Sequence, residues 1–186
     1  MSPSPLPPGQ REVERLPVRQ VGDPPPFDGS GWSLTLSGEL DRPRVFTLPD
    51  LRALSTVEIE ADFHAAAGWS VRRLRWRGAR LCDVLAAAAL RSSARFVRAS
   101  DGLRYDSSLA LSDALEPDVL LATGLAGEEL PLEHGGPLRL VVPARYGWKS
   151  VKWLRALELH PEERPGFWER RGFHPRGDPW KEERLS

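Results

Sequence analysis

The sequence is short of the residues on which several common kinds of protein depend. Its single cysteine, Cys82, excludes an internal disulfide framework and any zinc or iron–sulfur site built from several cysteines. No run of about 18 apolar residues occurs, so we expect no transmembrane helix. The N-terminal stretch MSPSPLPPGQREVERL has no apolar core of a secretory signal. We therefore expect a cytoplasmic protein without a membrane partner.

A surplus of charge is also missing. The chain of 186 residues has 26 basic and 26 acidic side chains, which gives a formal net charge of zero. Proteins that bind DNA or RNA through the phosphates rely on an excess of positive charge. We therefore expect no nucleic-acid partner, and the length predicts one domain.

Lysine is rare, and its placement is informative. Only three of the 26 basic residues are lysines, and two of these, Lys149 and Lys152, fall in the stretch YGWKSVKW (146–153). The planar fork of arginine does not replace a compact ammonium group. The pair therefore indicates a place where ammonium groups are needed, with a solvated surface as the alternative.

The two ends of the chain differ in composition from the middle. Eight of the 18 prolines lie in the first 26 residues, which predicts an extended arm over residues 1–31. Such an arm is either disordered or wrapped around the domain, which would span 32–186. The polar C-terminal tail carries four aromatic residues and is expected to pack back on the domain. These are Phe167, Trp168, Phe173 and Trp180.

Hydrophobic periodicity between the arm and the tail predicts an α+β fold with many strands and few helices. The predicted strands are 32–37, 56–63, 95–99, 118–123, 138–142 and 154–159. The helix predicted with most support spans 79–90, where Leu81, Val84, Leu85 and Ala88 recur at helical spacing.

The stretch 134–153 (HGGPLRLVVPARYGWKSVKW) carries the clearest chemical pattern. A glycine turn allows close approach of the backbone to a ligand. A strand with Arg139 follows, and then a Lys-Ser-x-Lys run. Backbone N–H groups, a hydroxyl and ammonium groups together suit an anion such as phosphate. The alternative is a basic surface loop. The chain has no dinucleotide, P-loop, zinc-protease or GxSxG motif.

These segments resemble the sulfite oxidase-like molybdopterin-binding domain, in its short cytoplasmic form. The resemblance rests on LPPGQ (6–10), WSLTLSGELDRPRVFTLPDL (32–51), the W-R-G-x-x-L-x-D-V-L pattern (76–85), the 134–153 stretch and the FWERRGFH and GDPW tail. It implies a strand-rich, single-domain fold of the sulfite oxidase type and a molybdopterin cofactor. It also implies oxygen-atom transfer, such as sulfite oxidation or sulfoxide reduction.

The resemblance further implies a set of residues that contact the cofactor. They are His64, Ser100, Asp101, His134, Arg139, Lys149, Ser150, Val151 and Lys152, with a contribution from the arm near Gln20. The implied substrate is a small anion or a sulfoxide. Because the chain lacks the haem domain and the sandwich domain of larger relatives, we expect a monomer with an external electron partner.

One position departs from the family pattern. The family motif His-Cys-Val-Thr-x-Trp-Ser supplies a thiolate to molybdenum, whereas this chain reads HAAAGWS (64–70), with Ala65 at the thiolate position. A methyl group cannot bind a metal, so we assign no metal ligand and expect low molybdenum occupancy.

Three interpretations of this departure stay open. The chain binds the cofactor with lost or altered catalysis, or it uses the fold as a non-catalytic binding module, or another ligand completes the metal. Asp62 and His64, on one strand face, are candidates for a harder ligand. We expect Cys82 to be an ordinary helical cysteine.

Overall fold

A computed structural model describes residues 5–27 and 30–186. The strands form two sheets, so the predicted α+β class is confirmed. The strands are β1 (Arg11–Glu12), β2 (Ser33–Gly38), β3 (Arg44–Thr47), β4 (Thr56–Ala65), β5 (Trp69–Arg80), β6 (Phe96–Ser100), β7 (Asp106–Ala110), β8 (Leu120–Leu125), β9 (Glu128–Glu129), β10 (Arg139–Val141) and β11 (Ala156–His160). The helices are α1 (Leu48–Ala53), α2 (Leu81–Ala87) and α3 (Leu111–Ala114). Short 3₁₀ turns span Leu132–His134, Gly147–Lys149, Glu169–Arg171 and Pro179–Lys181.

The first sheet is built around β5, its longest strand. β4 and β8 both pair with β5 in antiparallel orientation, β10 continues from β8, and β1 of the arm pairs in parallel with the start of β5. β5 is absent from the predicted strands, although Leu74, Trp76 and Gly78 alternate with arginines. A side chain at Gly78 would put its Cβ 2.1 Å from the carbonyl oxygen of Leu121, which explains the glycine.

The second sheet has the order β3-β2-β11-β6-β7. β11 pairs in parallel with β2 and antiparallel with β6, so the C-terminal part of the domain is inserted between two earlier strands. The predicted strands at 32–37, 95–99 and 154–159 are confirmed as β2, β6 and β11, with ends shifted by one or two residues.

Apolar side chains form two buried clusters. The larger one joins the second sheet to α1 and α2 and includes Leu34, Leu36, Leu81, Leu85 and Leu157. The smaller one lies against the first sheet and includes Phe63, Trp69, Val71, Trp76 and Leu120. The smaller cluster supports the hairpin formed by β4 and β5.

The predicted helix 79–90 is shorter in the structure than in the sequence pattern. Ala79 and Arg80 pair with β8 and therefore stay extended as the end of β5. Ala89 has a φ of 54°, and this left-handed backbone stops α2 after Ala87. Pairing with a neighbouring strand thus overrides the helical preference of the first two residues.

The N-terminal arm does more than extend along the surface. Its residues Arg11 and Glu12 form β1, which pairs with Trp69 and Ser70 of β5. No helix of the described residues is long and apolar enough to cross a membrane.

Most of the tail aromatics pack against the domain. Phe167 lies 5.6 Å from Tyr105 between ring centres, and Phe173 lies 5.0 Å from Trp148. Trp180 is the exception, because 51% of its surface is exposed. Phe167 and Phe173 of the tail therefore lie against the domain, whereas the Trp180 side chain is half exposed.

Candidate functional site

A cavity with a volume of about 510 Å³ opens between the hairpin of β4 and β5 and the tail, and this size holds a small-molecule cofactor. We call it the main cavity. Its wall comes from four stretches of chain and two single residues: the arm at 16–21, the β4–β5 hairpin at 63–69, the loop at 147–153, the tail at 168–173, Tyr105 and Arg139.

Three alanines, residues 65–67, form part of the hairpin wall. Their backbone is held in place, because the Gly68 N–H donates to the Ala65 carbonyl at 3.0 Å and the Gln10 amide donates to the same carbonyl at 3.1 Å. Their side chains are methyl groups. This part of the wall therefore offers no side-chain sulfur, oxygen or nitrogen to a ligand.

His64 lies behind this wall and does not line the main cavity. Its Nδ1 is 2.8 Å from the Ser70 hydroxyl, which in turn donates to the Gln10 side-chain oxygen at 3.0 Å. Burial lowers the pKa of His64, which favours the neutral ring. His64 is therefore not placed to contact a ligand in the main cavity, in contrast to the prediction. Through Ser70 and Gln10 it helps to hold the arm against the hairpin.

Arg139 is a buried cation in the cavity wall. It is 3% exposed, and its Nη1 donates to the His134 carbonyl at 2.9 Å. Its guanidinium carbon lies 5.0 Å from the ring centre of Phe63 and 5.5 Å from that of Trp76. Its Nε has no hydrogen-bond partner among the described residues. Burial lowers the pKa of Arg139 to about 10, so it stays charged at neutral pH.

Lys152 stands beside Arg139 in the same wall. Its ammonium donates to the Glu133 carbonyl at 2.5 Å and lies 3.4 Å from the side-chain oxygen of Gln20 in the arm. Burial first, and then the charge of Arg139, lower the pKa of Lys152 to about 7. His134 is similar, since burial, Lys152 and Arg139 all lower its pKa. These basic groups repel one another, which a bound anion would relieve.

Backbone geometry brings Lys152 into the cavity wall beside Arg139, and we call these two side chains the cationic cluster. Gly135 has a φ of +106°, and a Cβ there would lie 3.0 Å from the Cα of Lys152, so the glycine turn lets two segments touch. Trp153 has a φ of 51°, which is rare for a bulky residue. Neighbouring residues of an extended strand face opposite sides. The left-handed backbone breaks this alternation, and Lys152 and Trp153 both line the cavity.

The rest of the Lys-Ser-x-Lys run is divided between wall and interior. Ser150 lines the cavity, and its hydroxyl accepts a hydrogen bond from the Val142 N–H at 3.0 Å. Val151 is fully buried in the larger apolar cluster, so only its backbone is available to a ligand. Lys149 is 1% exposed, and its ammonium is bonded inside the protein. The expectation that Lys149 offers its charge to an anion is therefore corrected.

Ser100 and Asp101 also differ from their expected role. The Asp101 carboxylate accepts hydrogen bonds from the N–H groups of residues 103–105, at 2.8–3.0 Å. The Ser100 hydroxyl accepts from the Gly102 N–H at 2.9 Å. Both side chains thus stabilise the turn between β6 and β7, and neither lines the main cavity.

Several residues of the cavity wall are not predicted from the sequence to belong to the site. Tyr105 lines the cavity and donates its hydroxyl to the Trp148 carbonyl at 2.7 Å; burial raises its pKa well above 10, so the hydroxyl stays protonated. Trp168 and Phe173 reach the cavity from the tail. The only sequence signal for them was the aromatic content of the tail. For Tyr105 there was none.

Comparison with known proteins identifies the family of the chain. Residues 21–168 match the oxidoreductase molybdopterin binding domain. The chain belongs to this family. The match begins inside the predicted arm, so the domain boundary at residue 31 stays a prediction.

An uncharacterized oxidoreductase of Bacillus subtilis, YuiH, is 40% identical over 97% of this chain and 92% of its own length. The catalytic subunit MsrP of a protein-methionine-sulfoxide reductase from Xanthomonas campestris is 37% identical over 72% of this chain. Sulfite oxidase of Arabidopsis thaliana is 33% identical over 76% of it. The chain spans 47% of MsrP and 45% of the plant sulfite oxidase.

A solved structure shows the same fold. The sulfane dehydrogenase SoxCD from Paracoccus pantotrophus superposes with a TM-score of 0.63 at 26% identity. The match covers 71% of this chain and 39% of that one. The strand-rich fold of the sulfite oxidase type, expected from the resemblance, is thereby confirmed.

The family implies a molybdopterin cofactor, and the organic part of that cofactor suits the cavity wall. Arg139 and Lys152 supply positive charge where a phosphate needs it. Three buried N–H groups of wall residues, on Arg139, Trp69 and Trp148, have no hydrogen-bond partner in the described part of the chain. Buried donors are normally satisfied, so these are available to a polar ligand.

The metal end of the cofactor fits less well. Ala65 lines the cavity, and its methyl side chain cannot bind a metal. Cys82 lies on α2 outside the cavity wall, with its sulfur 3.8 Å from an Asp83 oxygen. No group of three His, Cys, Asp or Glu side chains within 5–27 and 30–186 is placed to hold a metal ion. The wall therefore supplies no thiolate.

Proposed function

We propose that this chain binds molybdopterin in the main cavity, with Lys152 and Arg139 holding the phosphate. The observation that carries this proposal is the cationic cluster in the cavity wall, where buried Arg139 and half-buried Lys152 lie side by side. Uncompensated positive charge at the wall of a cavity is the arrangement expected of an anion site. Ser150 and the unpaired N–H groups of Trp69 and Trp148 would meet the remaining polar atoms.

The reaction class we propose is oxygen-atom transfer to or from sulfur. It rests on the names of two relatives, sulfite oxidase and protein-methionine-sulfoxide reductase. When bound, the cofactor would supply the two-electron redox chemistry. The residues of this chain would bind and orient it, and the aromatic wall would exclude water. The same wall suits a sulfoxide with an apolar group, and Arg139 suits a small anion.

An external redox partner would exchange the electrons with the bound cofactor. We also propose that the protein is a monomer.

We further propose that the natural protein binds the cofactor without a protein thiolate on the metal, so that turnover is lost or much slower than in relatives with cysteine. The carrying feature is the methyl side chain of Ala65 in the cavity wall. The same feature favours a second candidate, a non-catalytic module that uses the fold to bind a partner. The two candidates differ in whether pterin is bound.

Cofactor content tests the first proposal. Protein produced in a host that makes molybdopterin should release a fluorescent pterin after oxidation, in about one equivalent, with molybdenum well below one equivalent. Protein from that host without pterin would contradict the cofactor proposal and favour the non-catalytic module.

The variant Ala65→Cys tests the missing ligand. It adds one sulfur to the wall, and a thiol at a high-valent metal is deprotonated. We expect higher molybdenum content and a sulfur-to-metal charge-transfer absorption that the natural protein lacks. The control is Cys82→Ala, which should change neither. Loss of metal in Cys82→Ala would instead make Cys82 the ligand, and no gain in Ala65→Cys would show that the pocket has diverged further.

A further inference from the structure

The ammonium of Lys149 is bonded entirely within the protein. It donates to the Ser108 carbonyl at 2.6 Å, to the Glu169 carboxylate at 2.5 Å and to the Pro175 carbonyl. An ammonium group has three N–H donors, so all of them have acceptors. One acceptor belongs to β7 and two belong to the C-terminal tail. Lys149 is therefore a cross-link between the domain and two separate points of the tail.

The carboxylate of Glu169 is buried with it. The Glu169 side chain is 3% exposed, and the same oxygen that contacts Lys149 accepts a hydrogen bond from the Ser107 hydroxyl at 2.8 Å. A buried carboxylate depends on its partner for compensation of its charge. Removing the ammonium would leave Glu169 without that compensation and would favour its release into water.

The two tail contacts of Lys149, at Glu169 and Pro175, lie close in sequence to the aromatic residues by which the tail lines the main cavity. Trp168 precedes Glu169, and Phe173 lies between Glu169 and Pro175; both aromatic residues are in the cavity wall. Their rings lie 4.8 Å apart between centres, and Phe173 meets Trp148 edge to face at 5.0 Å. Trp148 immediately precedes Lys149. The cross-link therefore sits directly behind the aromatic wall.

We propose that Lys149 is a positioning residue, which pins residues 168–175 through Glu169 and Pro175 and so keeps Trp168 and Phe173 in the cavity wall. Lys149 then acts on the ligand only through the tail, in contrast to Lys152, which lines the cavity itself. The link to the ligand rests on the proposed pterin binding, whereas the link to the tail does not.

The experiment compares hydrogen exchange and pterin retention in Lys149→Met and Lys152→Met, with the exposed Lys181→Met as the matched control. In Lys149→Met we expect the Phe167 and Phe173 amides to exchange at least about ten-fold faster, with β2 and β11 unchanged. Pterin should dissociate at least about ten-fold faster as well. In Lys152→Met the pterin should dissociate faster while the tail amides exchange as in the natural protein.

The double variant Lys149→Met/Glu169→Met tests the cause. Because it removes the uncompensated charge of Glu169, it should slow tail exchange and pterin loss relative to Lys149→Met. It should not reach the rates of the natural protein, because the bond to the Pro175 carbonyl is still lost. If Lys149→Met does not fold, Glu169→Gln serves the same comparison. Unchanged tail exchange in the folded single variants would overturn the proposal, as would an open tail with unaltered pterin retention. Natural protein without pterin would refute the proposed function, and the exchange data would still decide whether Lys149 holds the tail.

Discussion

The N-terminal arm and the C-terminal tail both contribute to the main cavity, but different forces hold them. The arm is attached by β1 and by the side chains of Gln10 and Gln20, and none of residues 14–27 makes a backbone-to-backbone hydrogen bond to another described residue. The tail is attached by buried charges, including Lys149 with Glu169. Buried charges are costly to separate, whereas single hydrogen bonds near water are not. We expect the arm to detach without unfolding the domain, and the tail to resist release.

The largest expected effect on stability belongs to a second buried ion pair, formed by Arg145 and Asp113. Arg145 donates to both oxygens of Asp113, at 2.6 and 2.8 Å, and Arg176 of the tail lies 3.7 Å from the same carboxylate. In Asp113→Ala, Arg145 loses its main partner. We expect the free energy of unfolding in urea to fall by about 3–5 kcal/mol.

The control for Asp113→Ala is an exposed ion pair. Glu60 bonds Arg73 at 2.8 Å, and the two side chains are 47% and 78% exposed. We expect Glu60→Ala to lower the free energy of unfolding far less than Asp113→Ala does, because solvent screens the exposed pair. Equal effects in the two variants would show that burial does not decide how much an ion pair of this chain contributes to stability.

The next largest effect is expected on pterin affinity, when a residue of the cationic cluster is replaced. Lys152→Met removes one charge-assisted bond to the proposed phosphate, which contributes about 1.5–3 kcal/mol. We therefore expect pterin affinity to fall roughly ten- to a hundredfold, measured by equilibrium release. Lys152 is preferred to Arg139 for this test, because Arg139 is buried and its loss would also destabilise the fold. An effect no larger than that of Lys181→Met would mean that Lys152 is only a surface lysine.

A pH effect should follow from the same residue. The pKa of Lys152 is lowered from 10.5 to about 7, so the folded protein loses this proton near neutral pH while the unfolded chain keeps it to about 10.5. The unfolded state binds more protons between these values, so this group makes stability rise with pH from about 7 to 10.5. Anion binding favours the charged form and should weaken over the same rise. Both slopes should be smaller in Lys152→Met, as measured by urea unfolding and pterin release at pH 6 and pH 9.

The smallest expected effect belongs to the arm. Gln10→Ala removes the hydrogen bonds to the Ala65 carbonyl and from the Ser70 hydroxyl, each with a net contribution of about 0.5–1.5 kcal/mol. We expect faster proteolysis within residues 14–27, while the global free energy of unfolding changes by less than about 1 kcal/mol because the arm opens locally. A global loss as large as that of Asp113→Ala would show that the arm and the domain unfold together.

The hydrophobic periodicity of the sequence predicted most of the strands, because the alternation of apolar and polar residues is a property of the local sequence. Val57, Ile59 and Ala61 alternate with charged residues, and β4 follows from that pattern alone. It found neither the true start of α2 nor β1, because pairing with distant strands decides both. It also left out β5, where arginines interrupt the apolar residues.

The candidate site was predictable in part for the same reason. The stretch 134–153 shows its glycine turn and its cations within twenty residues, so Arg139, Ser150 and Lys152 could be proposed from sequence. Tyr105 could not, because nothing near it in the chain marks it as a cavity residue. Its position depends on the turn after β6, which the Asp101 carboxylate holds.

Lys149 and Lys152 show which features of the site the sequence determines and which the tertiary structure determines. The sequence by itself determined that two rare ammonium groups occur three residues apart beside a glycine turn, which indicates an anion site. Only the tertiary structure decided that Lys149 turns inward to Glu169 of the tail and that Lys152 stays in the cavity wall near Gln20 of the arm. The physical reason is that burying a charge requires a partner, and both partners come from distant parts of the chain.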